Sequence, residues 1–309
     1  MTKSPQCRIC IRECAPGISF CHRRDGFGRL ISDNIICAIN YDWLHDKPIT
    51  HLNGNVRVMS IGSWGCNLRC LGCQNVRLSW AESAETPGFK EMSPEEIVDS
   101  ALKNGCKGIC YTYNEPAVII ESVEKIAATA REKGLMNVFV TNSTLTEKSA
   151  RRISKCLDAV AADIKSLDDE FYYTYCGAGG IPDVACKILS CIKAFYNSGV
   201  HVEVRTNIIP GANDKNENYH AIASWIRDEM SDDIPWHITR FFPAHKLDHL
   251  GQTPTEALIE AQEAGNEEGL KHVHIYPDKG CDCAKDIFLI GNSDMPDAHS
   301  DHCCCSKKS

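Results

Sequence analysis

The chain has 309 residues, 43% of them hydrophobic and 24% charged, the balance of a globular protein with one large α/β domain and appendages or two ordinary domains. A formal net charge of −8 argues against a partner held mainly through phosphates, so no nucleic-acid partner is expected. No run of about 18 apolar residues occurs and the first residues lack a signal-peptide core, so no membrane partner and a cytoplasmic location are expected.

Residues 1–55 read as a cysteine-rich N-terminal extension. Within the first 30 residues Lys3, Arg8, Arg12, Arg23, Arg24 and Arg29 stand against Glu13 and Asp25, a local +4 that reads as a solvated basic face. Cys7, Cys10, Cys14 and Cys21 follow one another with two, three and six residues between them. Four thiols among turn residues can hold zinc tetrahedrally or a second iron–sulfur cluster, and both accept four thiolates.

From residue 56 to 276 short β-like runs alternate with amphipathic helices. The first strand, over 56–61, delivers the chain into Cys66-Asn-Leu-Arg-Cys70-Leu-Gly-Cys73. Ser93, Pro94 and Glu96 then form a capping box that opens a helix with Ile97, Val98, Ala101 and Leu102 on its apolar face, ended by Gly105. Strands are predicted over 108–113, 137–141, 159–164, 200–209 and 236–242, with a seventh at 273–275. Helices are predicted over 117–133, 146–157, 183–197, 217–229 and 254–270. This order implies parallel pairing with right-handed crossovers, in an open sheet or a full or partial barrel. Residues 277–309 form a second cysteine-rich tail with Cys281, Cys283, His299, His302 and Cys303 to Cys305, read as a disordered thiol-rich end or a metal-acquisition or redox tail.

Nineteen cysteines in a chain without an export signal favour metal or redox use over a disulfide framework. Cys106, Cys110, Cys156, Cys186 and Cys191 fall on apolar segments and read as small buried hydrophobes. Cys66, Cys70 and Cys73 are different. Three thiolates in eight residues can hold three irons of a four-iron cube and leave the fourth iron open to a ligand, whereas structural zinc takes four ligands.

In parallel α/β folds reactive residues gather where strands end. After the predicted strands come Asn114-Glu115-Pro116 and Asn142-Ser143, and near the later strand ends lie Asp163, Lys165, Arg205, Asn207, His237 and Arg240. Asp163 and Lys165 share a face, so they form an internal ion pair or touch a polar ligand. Arg205 shares a face with Glu203, which makes a structural pair the rival there. His237, on an apolar strand, reads equally as a satisfied core histidine.

These motifs resemble those of the radical S-adenosylmethionine (SAM) superfamily, in its pyruvate formate-lyase activating enzyme-like branch. The residues from Gly65 to Asn75 are similar to the cluster loop of that branch, and most to the radical SAM member of the AmmeMemoRadiSam system. Tyr111 to Pro116, Ala162 to Lys165, Val204 to Gly211 and Pro235 to Pro243 match the same pattern, over about residues 5–245. The resemblance implies a partial (β/α)6 barrel and an anaerobic enzyme. It implies that Cys66, Cys70 and Cys73 bind a [4Fe-4S] cluster at which SAM is reductively cleaved to a 5′-deoxyadenosyl radical. Tyr113, Asn114 and Glu115 would lie near the SAM amino group. Asn142, Asp163, Lys165, Arg205 and His237 would line its carboxylate, ribose or adenine. A protein or peptide substrate and an electron donor such as ferredoxin or flavodoxin are expected. A small-molecule substrate in cofactor maturation, or a non-catalytic iron–sulfur or metal carrier, are the rival readings.

Overall fold

Parallel strands form here because each β-like run is followed by an amphipathic helix that must pack back on the sheet. The computed structural model describes residues 6–276, apart from Gly26, Asn53 and Asn55. The tail at 277–309 lies outside the described residues. The strands are β1 (Ile35–Ile36), β2 (Ala38–Trp43), β3 (Arg57–Gly62), β4 (Lys90–Glu91), β5 (Gly108–Tyr111), β6 (Met136–Thr141), β7 (Ala159–Asp163), β8 (His201–Ile208), β9 (Trp236–Arg240) and β10 (Val273–Tyr276). The helices are α1 (Val76–Ser79), α2 (Pro94–Lys103), α3 (Ile120–Glu132), α4 (Glu147–Ser154), α5 (Asp169–Cys176), α6 (Val184–Asn197), α7 (Asn216–Glu229) and α8 (Thr255–Glu267).

The main sheet runs β10-β9-β8-β7-β6-β5-β3-β2. Every pairing in it is parallel except β2 with β3. β10 and β2 are its two edges, so the backbone ladder does not close and the barrel is partial. The capping box at α2 forms as the sequence indicates: Ser93 Oγ accepts from the Glu96 N–H, and the Glu96 carboxylate accepts from the Ser93 N–H at 2.8 Å. Apolar side chains of α2 to α8 pack on the outer face of the sheet in one continuous core. Among the described residues no helix is long and apolar enough to cross a membrane.

Several features were not expected from the sequence, among them α1, α5 and the short β1–β4 pair. β2, within the predicted N-terminal extension, joins the main sheet antiparallel to β3, and its polar Asn40 and Asp42 break the strand signature. The stretch after β2 then crosses to the far edge. Tyr276 donates to Asp46 Oδ1 at 3.2 Å, and His51 Nε2 meets His274 Nε2 at 2.8 Å. Side chains thus bridge the edges that the backbone leaves apart.

Candidate active site

β3 ends at Gly62, and the chain turns through Ser63–Gly65 into the cysteine loop. Asn114 shapes this turn: its Oδ1 accepts from the Ser63 N–H at 3.1 Å and its Nδ2 donates to the Gly65 carbonyl at 2.8 Å. Further on, the N–H groups of Arg69 and Leu71 donate to the carbonyls of Cys176 and Tyr175, both at 2.9 Å. The C-terminus of α5 therefore straps the loop around Cys70. Gly65 has φ +80°, and a Cβ there would stand 2.3 Å from the Cys21 carbonyl. Gly65→Ala is therefore expected to cost at least about 2 kcal/mol, since left-handed strain and a backbone clash add. A denaturation midpoint equal to that of the parent chain would contradict this.

Cys66, Cys70 and Cys73 line one cavity of 590 Å³ inside the C-terminal mouth of the barrel. The same wall carries Tyr113, Asn114, Glu115, Asn142, Asp163, Lys165 and Arg205. This size lies in the range of small-molecule sites, about 300–1,000 Å³.

Asp163 and Arg205 are direct cross-strand partners in the β7–β8 register. Arg205 Nε donates to Asp163 Oδ1 at 2.6 Å, and Lys165 Nζ to Oδ2 at 2.5 Å. Burial works against ionisation of Asp163, yet the two cations outweigh it and hold its pKa below the usual carboxylate range. Asp163 and Lys165 are thus an ion pair and also part of the cavity wall. Arg205 does not pair with Glu203, because an opposite neighbour is nearer than one two residues away on the same strand.

Glu115 is buried at the cavity wall and accepts from the Ala117 N–H, Thr141 Oγ1 and the Asn142 N–H. Burial outweighs these bonds and pushes its pKa up to about 7. The native state therefore keeps a proton that the unfolded chain releases above about pH 4.5. Stability is favoured below that value and falls as pH rises to 7, by about 3 kcal/mol in all. In ligand-free protein, Glu115→Gln is expected to remove this fall. Denaturant unfolding at pH 5 and pH 8 checks it, and parallel changes in both proteins would refute the assignment.

His237 lies outside the cavity wall. It stands level with Arg205 in the β8–β9 register but is 1% exposed, with its Nε2 2.6 Å from Glu203 Oε2. Glu203 is also bound by His201 and by the N–H groups of Thr50 and His51, so this end of the barrel is a closed polar network. The core-histidine reading describes its position. Asn142 lines the cavity, and its Nδ2 donates to Asn67 Oδ1 at 2.9 Å and lies 3.9 Å from Cys66 Sγ. Cys176 was not foreseen. It lines the cavity and its thiol contacts Cys70, but nothing in the local sequence marks it, since only the fold of α5 brings it there.

The thiols have high pKa values. Burial raises Cys66 and takes Cys73 to about 11, while the Cys176 contact and burial raise Cys70. Metal binding must release these protons, so affinity should grow with pH. Among the described residues no three Cys, His, Asp or Glu side chains close on a point suited to a single ion. Three thiols on one cavity wall match the donor set that the sequence suggests for a four-iron cube with one open iron. Asn75 Oδ1, buried in the same wall, has no hydrogen-bond partner among the described residues.

The profile of the Radical SAM superfamily matches residues 61–222, from the end of β3 into α7. This chain belongs to the radical SAM superfamily. It is 35% identical over 276 residues to an uncharacterized protein of Methanocaldococcus jannaschii, covering 87% of this chain and 80% of that protein. It is 27% identical over 185 residues to the pyruvate formate-lyase-activating enzyme of Clostridium pasteurianum, covering 56% and 72%. In fold it is similar to Streptococcus suis SuiB bound to its precursor peptide SuiA, with a TM-score of 0.54 at 14% identity, over 71% of this chain and 48% of that one. As a radical SAM enzyme the protein uses a [4Fe-4S] cluster and SAM.

Proposed function

We propose that Cys66, Cys70 and Cys73 hold the [4Fe-4S] cluster and that the enzyme takes hydrogen from a protein or peptide. The observation that carries this is the single cavity shared by these three thiols and by Glu115, Asp163, Lys165 and Arg205. When bound, the cluster supplies the electron that splits the SAM sulfonium, and the deoxyadenosyl radical so released takes hydrogen from the substrate.

The chain's own groups divide the remaining work. Glu115 is an acceptor placed for the SAM amino group. Lys165 and Arg205, already anchored on Asp163, direct positive charge at the cavity and suit a carboxylate or ribose hydroxyls. Asn142 Nδ2 points hydrogen-bonding capacity at the Cys66 sulfur, which is one lever on cluster potential. Asn114 keeps the Ser63–Gly65 turn in shape and so sets where Cys66 stands. Phe241 packs against Gly72, where a Cβ would come within 2.8 Å of its ring.

A macromolecular substrate is favoured by the relative named for activating pyruvate formate-lyase, itself a protein. A ferredoxin or flavodoxin would deliver the electron. The test is label transfer under anoxic conditions: reduced enzyme and SAM are incubated with deuterated candidate polypeptides. Deuterium in 5′-deoxyadenosine identifies the donor. Label arriving only from small molecules would replace the polypeptide reading.

A further inference from the structure

Tyr113, on the cavity wall, takes a left-handed conformation with φ +72°. A bulky L-residue rarely adopts it, and it persists only where the surroundings fix it. The turn sends its two successors in different directions. Asn114 reaches back to the Ser63–Gly65 turn beside the cluster loop, while Glu115 bonds Thr141 and Asn142 at the end of β6.

Tyr113 is held from several sides. Asn75 Nδ2, two residues past Cys73, donates to its carbonyl at 2.6 Å. Its ring lies on Gly62 at the end of β3, where an added Cβ would stand 3.0 Å from its Cδ2. Its hydroxyl donates to Asp42 Oδ2 at 3.3 Å, and the Lys47 ammonium stands 5.2 Å from the ring centroid. Burial raises the Tyr113 pKa, so the hydroxyl stays a donor at neutral pH. Lys47 Nζ and Asp42 Oδ2 are themselves 2.5 Å apart, with side chains only 11% and 8% exposed. A buried ion pair is weak support for folding, since desolvation of both charges offsets their attraction. Apolar side chains would fill this place about as well. What they could not supply is an acceptor for the Tyr113 hydroxyl and a cation near its ring. Asp42, on β2, and Lys47, just after it, both precede residues 61–222, the stretch that the superfamily profile matches.

We propose that Asp42 and Lys47 are positioning residues: they pin Tyr113, and through it the strained turn that presents Asn114 to the cluster loop and Glu115 to SAM. This rests on the reading of Glu115 as the acceptor for the SAM amino group. Asp42 and Lys47 do not line the cavity themselves. β2 and the stretch after it are thereby part of the framework of the active site.

The test uses the full chain with its cluster rebuilt anoxically, and separates KM for SAM from kcat in reductive cleavage. Asp42→Asn with Lys47→Met removes both charges at nearly constant volume, so no buried charge is left unpaired. This paired variant should raise KM for SAM at least about tenfold, keep kcat within about threefold and keep the iron content of the parent chain. The same two substitutions made on Tyr113→Gly should change KM by less than about twofold, because glycine tolerates a positive φ without support. Iron content and kcat that fall together with KM unmoved, the mark of a merely structural pair, would overturn the proposal. So would a KM rise that recurs in full on the glycine background. Should the glycine variant fail to load its cluster, the KM result on the otherwise unaltered chain decides alone. A parent chain that neither binds nor cleaves SAM would overturn the reading of the cavity and this assignment with it. A parent chain that cleaves SAM, beside a paired variant of unmoved KM, overturns this assignment alone.

Discussion

Cys73→Ala is expected to reduce 5′-deoxyadenosine formation by at least about 10³-fold, equivalent to about 4 kcal/mol. Removal of one of three ligands leaves a second iron without a protein anchor, and the cluster is then lost or misplaced. Cys73 is a cleaner choice than Cys70. The thiol of Cys176 already touches Cys70 and could stand in for it after substitution. Cys176 belongs to the strap formed by the end of α5, where its carbonyl takes the Arg69 N–H, and its thiol borders the cavity beside Cys70. Cys176→Ala should therefore leave the iron content unchanged and cost at most about tenfold in cleavage. The measurement is chromatography of SAM products after dithionite reduction, with iron content in parallel. Cys73→Ala protein that turns over SAM at the parent rate would remove Cys73 from the ligand set.

Asp163→Ala should destabilise the protein by about 3 kcal/mol and weaken SAM binding by at least about tenfold. Asp163 is 4% exposed and anchors two cations at once. Its loss leaves Arg205 and Lys165 facing each other in a partly dry wall. The lower end of the range for broken buried pairs applies, because both cations also border the cavity and gain some solvation there. The carboxylate pKa is depressed, so the contribution of this cluster is present above the ordinary carboxylate value and is lost as pH falls below it. Urea unfolding at pH 7 and at about pH 2, well below the ordinary carboxylate value, separates the cases. A difference between parent and variant that does not shrink on acidification would mean that Asp163 acts by packing alone.

The same two sites show what each level of description could supply. The alternation of strand and helix signals, the Ser93 capping box and the Cys66–Cys70–Cys73 spacing were all legible locally, because each depends on residues a few positions apart. The polar groups at strand ends were legible for a similar reason: in a parallel fold, position along a strand is also position relative to the mouth. Their partners were not. Arg205 looked like a partner for Glu203 because the two share a face, but register set Asp163 opposite it. Glu203 instead collected His201, His237, Thr50 and His51 from separate elements.

Sequence by itself pointed to the class of chemistry, since the three-cysteine loop and the strand-end motifs, taken together and in order, resemble those of the radical SAM superfamily to which the chain belongs. It also determined the order of strands that places that loop first. Tertiary structure alone decided which side chains share the cavity, that Cys176 stands beside Cys70, that β2 extends one edge of the sheet, and that the N-terminal thiols lie against the back of the cluster loop. Those outcomes depend on register and crossover geometry, which bring together residues up to 230 positions apart, and no local pattern encodes such distances.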